Sequence, residues 1–121
     1  MTTSRYFKES EFKNISPACS LQDMQQDFMT MLDKTRELAG IPFIIISAYR
    51  SMEHETKMRR SGKSAHTEGC AVDIRAIDGR SRFLIVEAAL KAGFTRIRFY
   101  NKWIHLDSSK TLDQRVIWAD G

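Results

Sequence analysis

The segment RIRFYNKWIHLD, residues 96–107, decides the fold that we expect for this chain. Two strand-like runs flank Asn101 and Lys102, and asparagine tolerates the positive φ that a two-residue hairpin turn requires. Such a hairpin places six side chains on one face in three cross-strand pairs: Arg96 with Asp107, Arg98 with His105 and Tyr100 with Trp103. The opposite face is apolar and can pack against helices: Ile97, Phe99, Ile104 and Leu106. The segment therefore predicts an antiparallel pair with one polar face and one core face.

Three other runs predict the rest of a sheet. CAVDIRA, residues 70–76, alternates in polarity, and Asp73 falls on its polar face. PFIIIS, residues 42–47, is short, continuous and rich in β-branched residues, which is typical of a buried strand. RVIW, residues 115–118, can add an edge strand.

Helical segments alternate with these strands. Three helices are predicted, each with an N-cap and a terminating glycine: Ser20 to Gly40, Ser51 to Gly62 and Ser81 to Gly93. Helices over a mainly antiparallel sheet make an α+β fold, and a length of 121 residues suits one domain. We therefore expect residues 1–121 to form a single small α+β domain with the helices packed on one face of the sheet.

Composition limits the partners and the compartment. The net charge of +4 and the pI of about 9.3 favour an anionic partner: nucleic acid, a membrane surface or the acidic cell wall. Cys19 and Cys70 form neither a CxxC pair nor a disulfide framework. The N-terminus shows no signal peptide, and no apolar run approaches the roughly 20 residues of a membrane-spanning helix. We expect a monomer that is made in the cytoplasm and reaches an outside target only if another component delivers it.

SAHTEGCAVDI, residues 64–74, holds the residues that we expect to carry chemistry. His66 lies in the loop before a strand, Asp73 on the polar face of that strand, and His105 on the polar face of the hairpin. Two neutral imidazoles and a carboxylate are ligand types for zinc, and three protein ligands leave a fourth position for water, as in catalytic sites. Gly69 would let the backbone turn sharply into the strand. The pattern alone leaves a second interpretation open, in which the histidines are hydrogen-bonded structural residues.

Three motifs, in this order along the chain, resemble those of one family of zinc peptidases. SAYRS, residues 47–51, resembles a segment upstream of that family's first ligand. SAHTEGCAVDI resembles the SxHxxGxAxD signature of the D-alanyl-D-alanine carboxypeptidase and L-alanyl-D-glutamate endopeptidase family, and WIHLD, residues 103–107, resembles the strand with its last ligand. The layout also resembles the compact versions of this family that small bacteriophages encode. The resemblance implies a zinc DD-peptidase/hedgehog-like fold and hydrolysis of peptidoglycan stem peptides, as a carboxypeptidase or an endolysin.

Carried over by position, the resemblance implies roles for five residues. It makes His66, Asp73 and His105 the ligands of a zinc cofactor. Arg50 corresponds to the arginine that contacts a substrate carboxylate or polarises the scissile carbonyl, which suits the donor fork of a guanidinium. Ser64 matches the signature serine and is a candidate for substrate binding. The alternatives are a structural salt bridge for Arg50 and a loop hydrogen bond for Ser64.

The general base is missing from its positions in the family pattern. Lys102 stands where several members carry a glutamate, three residues before the last histidine, and Tyr100 stands where a second branch carries a histidine. Tyr100 can donate a hydrogen bond to the tetrahedral intermediate, but a phenol with its ordinary pKa of about 10 is a poor base. Asp107 and Glu68 are the remaining carboxylate candidates. The alternatives are an ion pair with Arg96 for Asp107 and a solvated surface role for Glu68. A further alternative is that no protein base is needed, because the metal alone lowers the pKa of its water to about 7.

Three functions compete at this point. The first is a zinc peptidase acting on peptidoglycan, and the second is a wall-binding module that keeps the zinc site but lacks the base. The third, a nucleic-acid binder, is disfavoured because the basic residues are dispersed and no recognition motif is present, so we expect no nucleic-acid partner. The basic cluster Lys57, Arg59, Arg60 and Lys63 is open to two interpretations: an ordinary solvated face, or a surface that holds acidic stem peptides. His54 is expected to be solvated, because its helix lacks the second histidine of a HExxH motif.

Overall fold

The computed structural model describes residues 1–58 and 64–119. The helices in these ranges are α1 (Glu9–Lys13), α2 (Gln26–Ala39), α3 (Met52–Lys57) and α4 (Gly79–Ala92). The strands are β1 (Ile45–Ser47), β2 (Ala71–Arg75), β3 (Arg96–Phe99), β4 (Trp103–Asp107) and β5 (Val116–Ala119). The strands form one sheet in the order β1-β2-β4-β3-β5. This arrangement confirms the predicted α+β fold.

The hairpin of β3 and β4 has the predicted register. The two strands pair antiparallel, with these residues opposite each other: Arg96 with Asp107 and Arg98 with His105. Ile97, Ile104 and Leu106 are fully buried on the core side. The polar residues of both strands therefore emerge together on the opposite side of the sheet.

β2 is the central strand that connects the hairpin to the first half of the chain. It pairs antiparallel with β1 on one side and with β4 on the other. Asp73 lies opposite Ser47 in β1 and opposite His105 in β4. Asp73 consequently emerges in the middle of the polar face, next to His105.

The predicted edge strand, β5, forms but runs parallel to its neighbour. It pairs with β3 and places Trp118 beside Arg98. The chain reaches β5 through residues 108–115, and Arg115 has a φ of 64° immediately before the strand. The sheet is therefore mixed, with three antiparallel pairings and one parallel pairing.

α2 and α4 cover the apolar face of the sheet and pack against each other. Phe28 of α2 meets Phe94 edge to face, with ring centroids 5.7 Å apart. Met29 and Leu32 of α2 and Ile85 of α4 are buried in the same core, and full burial of each such side chain stabilises the fold by about 1.5–3 kcal/mol. No described helix combines the length and the apolar character needed to cross a membrane.

The second helix begins later than predicted. Ser20 caps only a short 3₁₀ turn, Leu21–Asp23, and α2 begins at Gln26. The chain is extended between the two because the amide of Gln25 donates to the carbonyl of Gly69 at 2.8 Å, a tertiary bond that competes with a continuous helix. Periodicity alone cannot reveal this break, since the apolar spacing continues across it.

The other helix boundaries follow local capping. α4 begins at Gly79 rather than after Ser81, because the carboxylate of Asp78 accepts from the hydroxyl and the amide of Ser81 at 2.7 and 3.0 Å. The same bonds lower the pKa of Asp78. α3 begins after Ser51, as predicted, and its predicted end near Gly62 lies outside the described residues. α1 was not predicted, since five residues are too few to show helical periodicity.

Candidate metal centre

Three buried side chains converge on the polar face of the sheet: His66, Asp73 and His105. One candidate ligand atom from each lies within 4.8 Å of the other two. Nε2 of His66 is 3.5 Å, and Nδ1 of His105 is 3.0 Å, from Oδ1 of Asp73. The two rings stand edge to face with centroids 5.1 Å apart. The fold thus brings together the three residues that the sequence singles out as candidate ligands.

Different elements deliver these side chains. Asp73 and His105 occupy paired positions on β2 and β4, so both point to the same face. His66 comes from residues 64–70, which we call the ligand loop. At Gly69 of this loop φ is 73°, and a Cβ would lie 2.3 Å from the carbonyl oxygen of Asp23. The position therefore requires glycine for its backbone conformation and for its close approach to the 3₁₀ turn.

The ligand loop is anchored by segments on both sides of it in sequence. The side-chain amide of Gln25 donates to the carbonyl of Glu68 at 3.0 Å. The carboxylate of Glu68 accepts from the hydroxyls of Ser109 and Thr111 at 2.8 and 3.1 Å. Glu68, a predicted candidate for the base, is thus engaged with the segment that follows β4.

The outer hydrogen bond of each histidine fixes which ring nitrogen faces Asp73. Nδ1 of His66 lies 2.6 Å from the carbonyl oxygen of Ala48, and Nε2 of His105 lies 2.6 Å from Oδ2 of Asp107. Both partners accept only, so both of these nitrogens carry the proton in a neutral ring. Nε2 of His66 and Nδ1 of His105 are left as the inward-facing atoms. Outer bonds of this kind orient the histidine ligands of metal sites.

This arrangement fits a divalent cation. With both imidazoles neutral, two nitrogen lone pairs and a carboxylate oxygen face one another at 3.0–3.5 Å. A proton or a cation between them offsets the repulsion, and two imidazoles with one carboxylate suit zinc. These three ligands would leave one tetrahedral position for water or substrate.

The pKa shifts of Asp73 and His105 also favour positive charge at the centre of the cluster. Burial alone would raise the pKa of Asp73, but hydrogen bonds with His105 and His66 outweigh it and hold that pKa far below its ordinary range. Burial would lower the pKa of His105, but its bonds with Asp107 and Asp73 outweigh this and raise the pKa above 6.5. A proton and a metal ion therefore compete for Nδ1 of His105.

Asp107 lies behind His105 and is engaged by three donors. It is 1% exposed, and besides His105 its carboxylate accepts from Nε of Arg96 and the amide of Ser109, both at 3.0 Å. The ion pair with Arg96, which the hairpin register predicts, is confirmed. These contacts suit a residue that orients His105 better than one that abstracts protons from substrate or water.

A cavity of about 400 Å³ opens over the three candidate ligands. Its walls include the other residues that the sequence singles out for the site: Arg50, Ser64, Tyr100 and Asp107. This volume is within the roughly 300–1,000 Å³ range of small-ligand pockets. The cavity is therefore large enough for a small ligand.

One wall of the cavity is formed by aromatic rings and a cation. Tyr100 stacks on Trp103, with centroids 4.9 Å apart and planes 20° apart. The guanidinium of Arg98 lies 4.9 Å from the ring of Tyr100 and 5.5 Å from the ring of Trp118. Trp118 belongs to β5, so the parallel edge strand completes this wall. Arg50 follows β1, at the other edge of the sheet from β5, and lines the same cavity.

Glu55 is a pocket residue that sequence reasoning missed. It lies on α3, is 2% exposed, and its Oε1 is 3.4 Å from both Nε of Arg50 and the hydroxyl of Ser64. The sequence MEHETK of α3 has no apolar face, so periodicity does not show which side of this helix is buried. The sequence feature that could have pointed to Glu55 is its position one helical turn after the N-cap Ser51.

The remaining candidates lie away from these walls. Lys102 is exposed at the turn of the hairpin, and His54 is half-buried on α3. The predicted basic cluster cannot be placed as a unit, because Arg59, Arg60 and Lys63 lie outside the described residues.

Comparison with known proteins adds one match. The sequence model of the family described as Peptidase M15 matches residues 5–107. The matched range contains the three candidate ligands and Arg50, and it ends at Asp107, before β5. A search of curated proteins by sequence finds no match.

Proposed function

Because the chain belongs to the Peptidase M15 family, we propose that it is a zinc-dependent peptidase that hydrolyses stem peptides of bacterial peptidoglycan. The observation that carries the proposal is the convergence of His66, Asp73 and His105 within 4.8 Å, with each histidine held by a partner behind it. The family membership supports a metallopeptidase. The peptidoglycan substrate, and a role in cell-wall lysis such as that of a phage endolysin, rest on the motif resemblance and the positive net charge.

Nε2 of His66, a carboxylate oxygen of Asp73 and Nδ1 of His105 would hold the zinc ion. When bound, zinc supplies a Lewis acid that polarises a carbonyl and lowers the pKa of water to about 7. Asp107 keeps Nε2 of His105 protonated, so that Nδ1 stays directed inward. We therefore place Asp107 among the residues that position the site, instead of in the role of general base.

Arg50, Ser64 and Tyr100 would bind and orient the peptide. The guanidinium of Arg50 offers paired donors to a substrate carboxylate or to the developing charge on the scissile carbonyl. The backbone amide of Arg50 donates to the carbonyl of His66 at 3.3 Å, so this arginine is fixed relative to the ligand loop. Tyr100, which lines the same cavity, would donate its hydroxyl proton in a hydrogen bond to the tetrahedral intermediate.

The test is to incubate the zinc-loaded protein with purified peptidoglycan and to measure newly released amino groups. We expect release that stops with a chelator and with His66→Ala, and that persists in His54→Ala, which changes a histidine on α3. Unchanged release by His66→Ala would contradict the proposal.

A second function, binding to the wall without cleavage, is favoured by one observation. The position at which several relatives carry the base is Lys102, which is exposed at the hairpin turn. Zinc uptake and wall binding without any released amino groups would support this function and exclude the peptidase.

A further inference from the structure

We infer that Glu55 is a positioning residue that fixes the guanidinium of Arg50 for substrate binding. The inference rests on the proposed function, in which Arg50 contacts the peptide. It extends the site to α3, a helix to which neither the motifs nor the family resemblance gives a role.

The contacts of Glu55 join the two residues proposed to touch substrate. Its Oε1 lies 3.4 Å from Nε of Arg50, an ion pair without the alignment of a hydrogen bond, and it accepts from the hydroxyl of Ser64 at 3.4 Å. The side chains of Glu55 and Arg50 are only 2% and 17% exposed. All three residues line the cavity that contains the candidate ligands.

Burial of this carboxylate calls for a physical reason. A buried charge is costly unless a partner compensates it, and isosteric apolar residues often stabilise a fold as well or better. Glu55 is the buried residue of α3, whose other described residues are exposed or half-buried. The residue that α3 buries is therefore a charged group next to Arg50. An apolar residue would serve packing at least as well, so the charge is better explained by a role at the site.

The geometry suits a guanidinium that must present its end to a ligand. The ion pair with Glu55 uses Nε, the guanidinium nitrogen nearest the backbone. The two Nη groups at the far end can then form paired bonds to a carboxylate. The hydroxyl of Ser51 accepts from the amide of His54 at 3.0 Å and fixes the start of α3, one turn before Glu55. Glu55 thus has a fixed backbone from which to hold a long, otherwise mobile side chain.

Glu55→Gln is the informative variant, because glutamine keeps an oxygen for Ser64 and removes the charge that pairs with Arg50. Its matched control is Glu53→Gln, an exposed carboxylate on the same helix. With soluble muropeptides as substrate, we expect kcat/KM to fall about 10- to 100-fold in Glu55→Gln, the size of effect caused by misplacing a substrate-positioning group. We expect the Glu53→Gln value to stay within about twofold of the wild type.

A double-mutant cycle shows whether the effect acts through Arg50. In an Arg50→Ala background, Glu55→Gln should change kcat/KM by less than about twofold, because the guanidinium to be positioned is gone. Full additivity of the two losses would overturn the inference. So would disappearance of the acidic limb of the pH profile of kcat in Glu55→Gln, since that result would make Glu55 a general base instead.

A second readout does not depend on activity. The Nε–Hε signal of Arg50 in a ¹H–¹⁵N spectrum, identified by its loss in Arg50→Ala, should shift in Glu55→Gln and stay in place in Glu53→Gln. If the wild type cleaves no muropeptide but the signal still shifts, the proposed function fails while the Glu55–Arg50 coupling stands. If the wild type cleaves normally and Glu55→Gln changes neither kcat/KM nor the signal, the inference alone fails.

Discussion

Asp107→Asn tests whether the carboxylate behind His105 controls metal binding. Asparagine has nearly the same shape and can still accept from the amide of Ser109, but it removes the charge that faces Nε2 of His105 at 2.6 Å and Nε of Arg96 at 3.0 Å. Loss of such an outer partner typically weakens metal binding about 10- to 100-fold. At about 1.4 kcal/mol per tenfold change, this corresponds to a loss of about 1.4–2.8 kcal/mol in the free energy of zinc binding.

The same substitution should also destabilise the metal-free protein. Breaking a buried charge pair costs about 3–5 kcal/mol. Arg96 is 16% exposed and also donates to the carbonyl of Asp113 at 2.8 Å, so it keeps a partner, and we expect a loss of about 2–3 kcal/mol. Urea denaturation in the presence of a chelator measures this loss, and competition with a chromophoric chelator measures the zinc affinity.

The control for both measurements is Asp27→Asn. Asp27 pairs with Lys110 at 3.4 Å, but the two side chains are 64% and 78% exposed, so removing the pair should cost less than about 1 kcal/mol. If the zinc affinity of Asp107→Asn stays within about twofold of the wild-type value, Asp107 does not orient His105 and the reasoning is wrong.

Four further outcomes follow from individual residues. Gly69→Ala should lower the free energy of unfolding by more than about 2 kcal/mol in urea melts, because φ is 73° and a Cβ would meet the carbonyl of Asp23 at 2.3 Å; an unchanged midpoint would contradict this. Since the pKa of His105 is raised in the folded state, this residue stabilises the metal-free protein fully below about pH 6.5, and that stabilisation is lost as pH rises through the raised pKa. The unfolding free energy with chelator should accordingly be higher at about pH 6 than at about pH 8, and a His105→Gln variant should lose this part of the slope. Burial raises the pKa of the Cys70 thiol to about 12, so it should resist thiol reagents at about pH 8 until the protein is unfolded; rapid labelling of native protein would oppose this. Ser51→Ala should cost about 1 kcal/mol in the same melts, because it removes the cap of α3, and a cost near zero would mean that this cap does not hold the helix.

The hairpin could be predicted because short-range rules govern it, whereas the full ligand set was implied by the motif resemblance. The turn at Asn101 and Lys102 joins β3 and β4 in the predicted register, and alternation then decides that His105 lies on the polar face. The expected positive φ at Asn101 is wrong, since among the described non-glycine residues it is Arg115 that has one. Asp73 follows by the same alternation along β2. Once both strands are central in one sheet, the approach of the two side chains depends only on their pairing.

The features that the sequence did not reveal depend on tertiary contacts. The late start of α2 results from the bond between Gln25 and Gly69, which are far apart in the chain. Glu55 is buried beside Arg50 and Ser64, which are tertiary contacts, and a charged residue in a polar hexapeptide gives no periodic signal of being inside. Asp78, and not Ser81, is the N-cap of α4. Aspartate and serine are about equally good caps, so residue type alone does not choose between the two positions.

The hydrogen bonds that the hydroxyls of Ser109 and Thr111 donate to Glu68 have a consequence for biosynthesis. A ribosome making this chain releases His66 long before Thr111, and until the later residues emerge the nascent loop lacks the partners on one of its sides. The anchoring of the loop on that side is completed only after residues 109–111 have emerged. The candidate metal centre would in this way be fully assembled only on chains that have extended past Thr111.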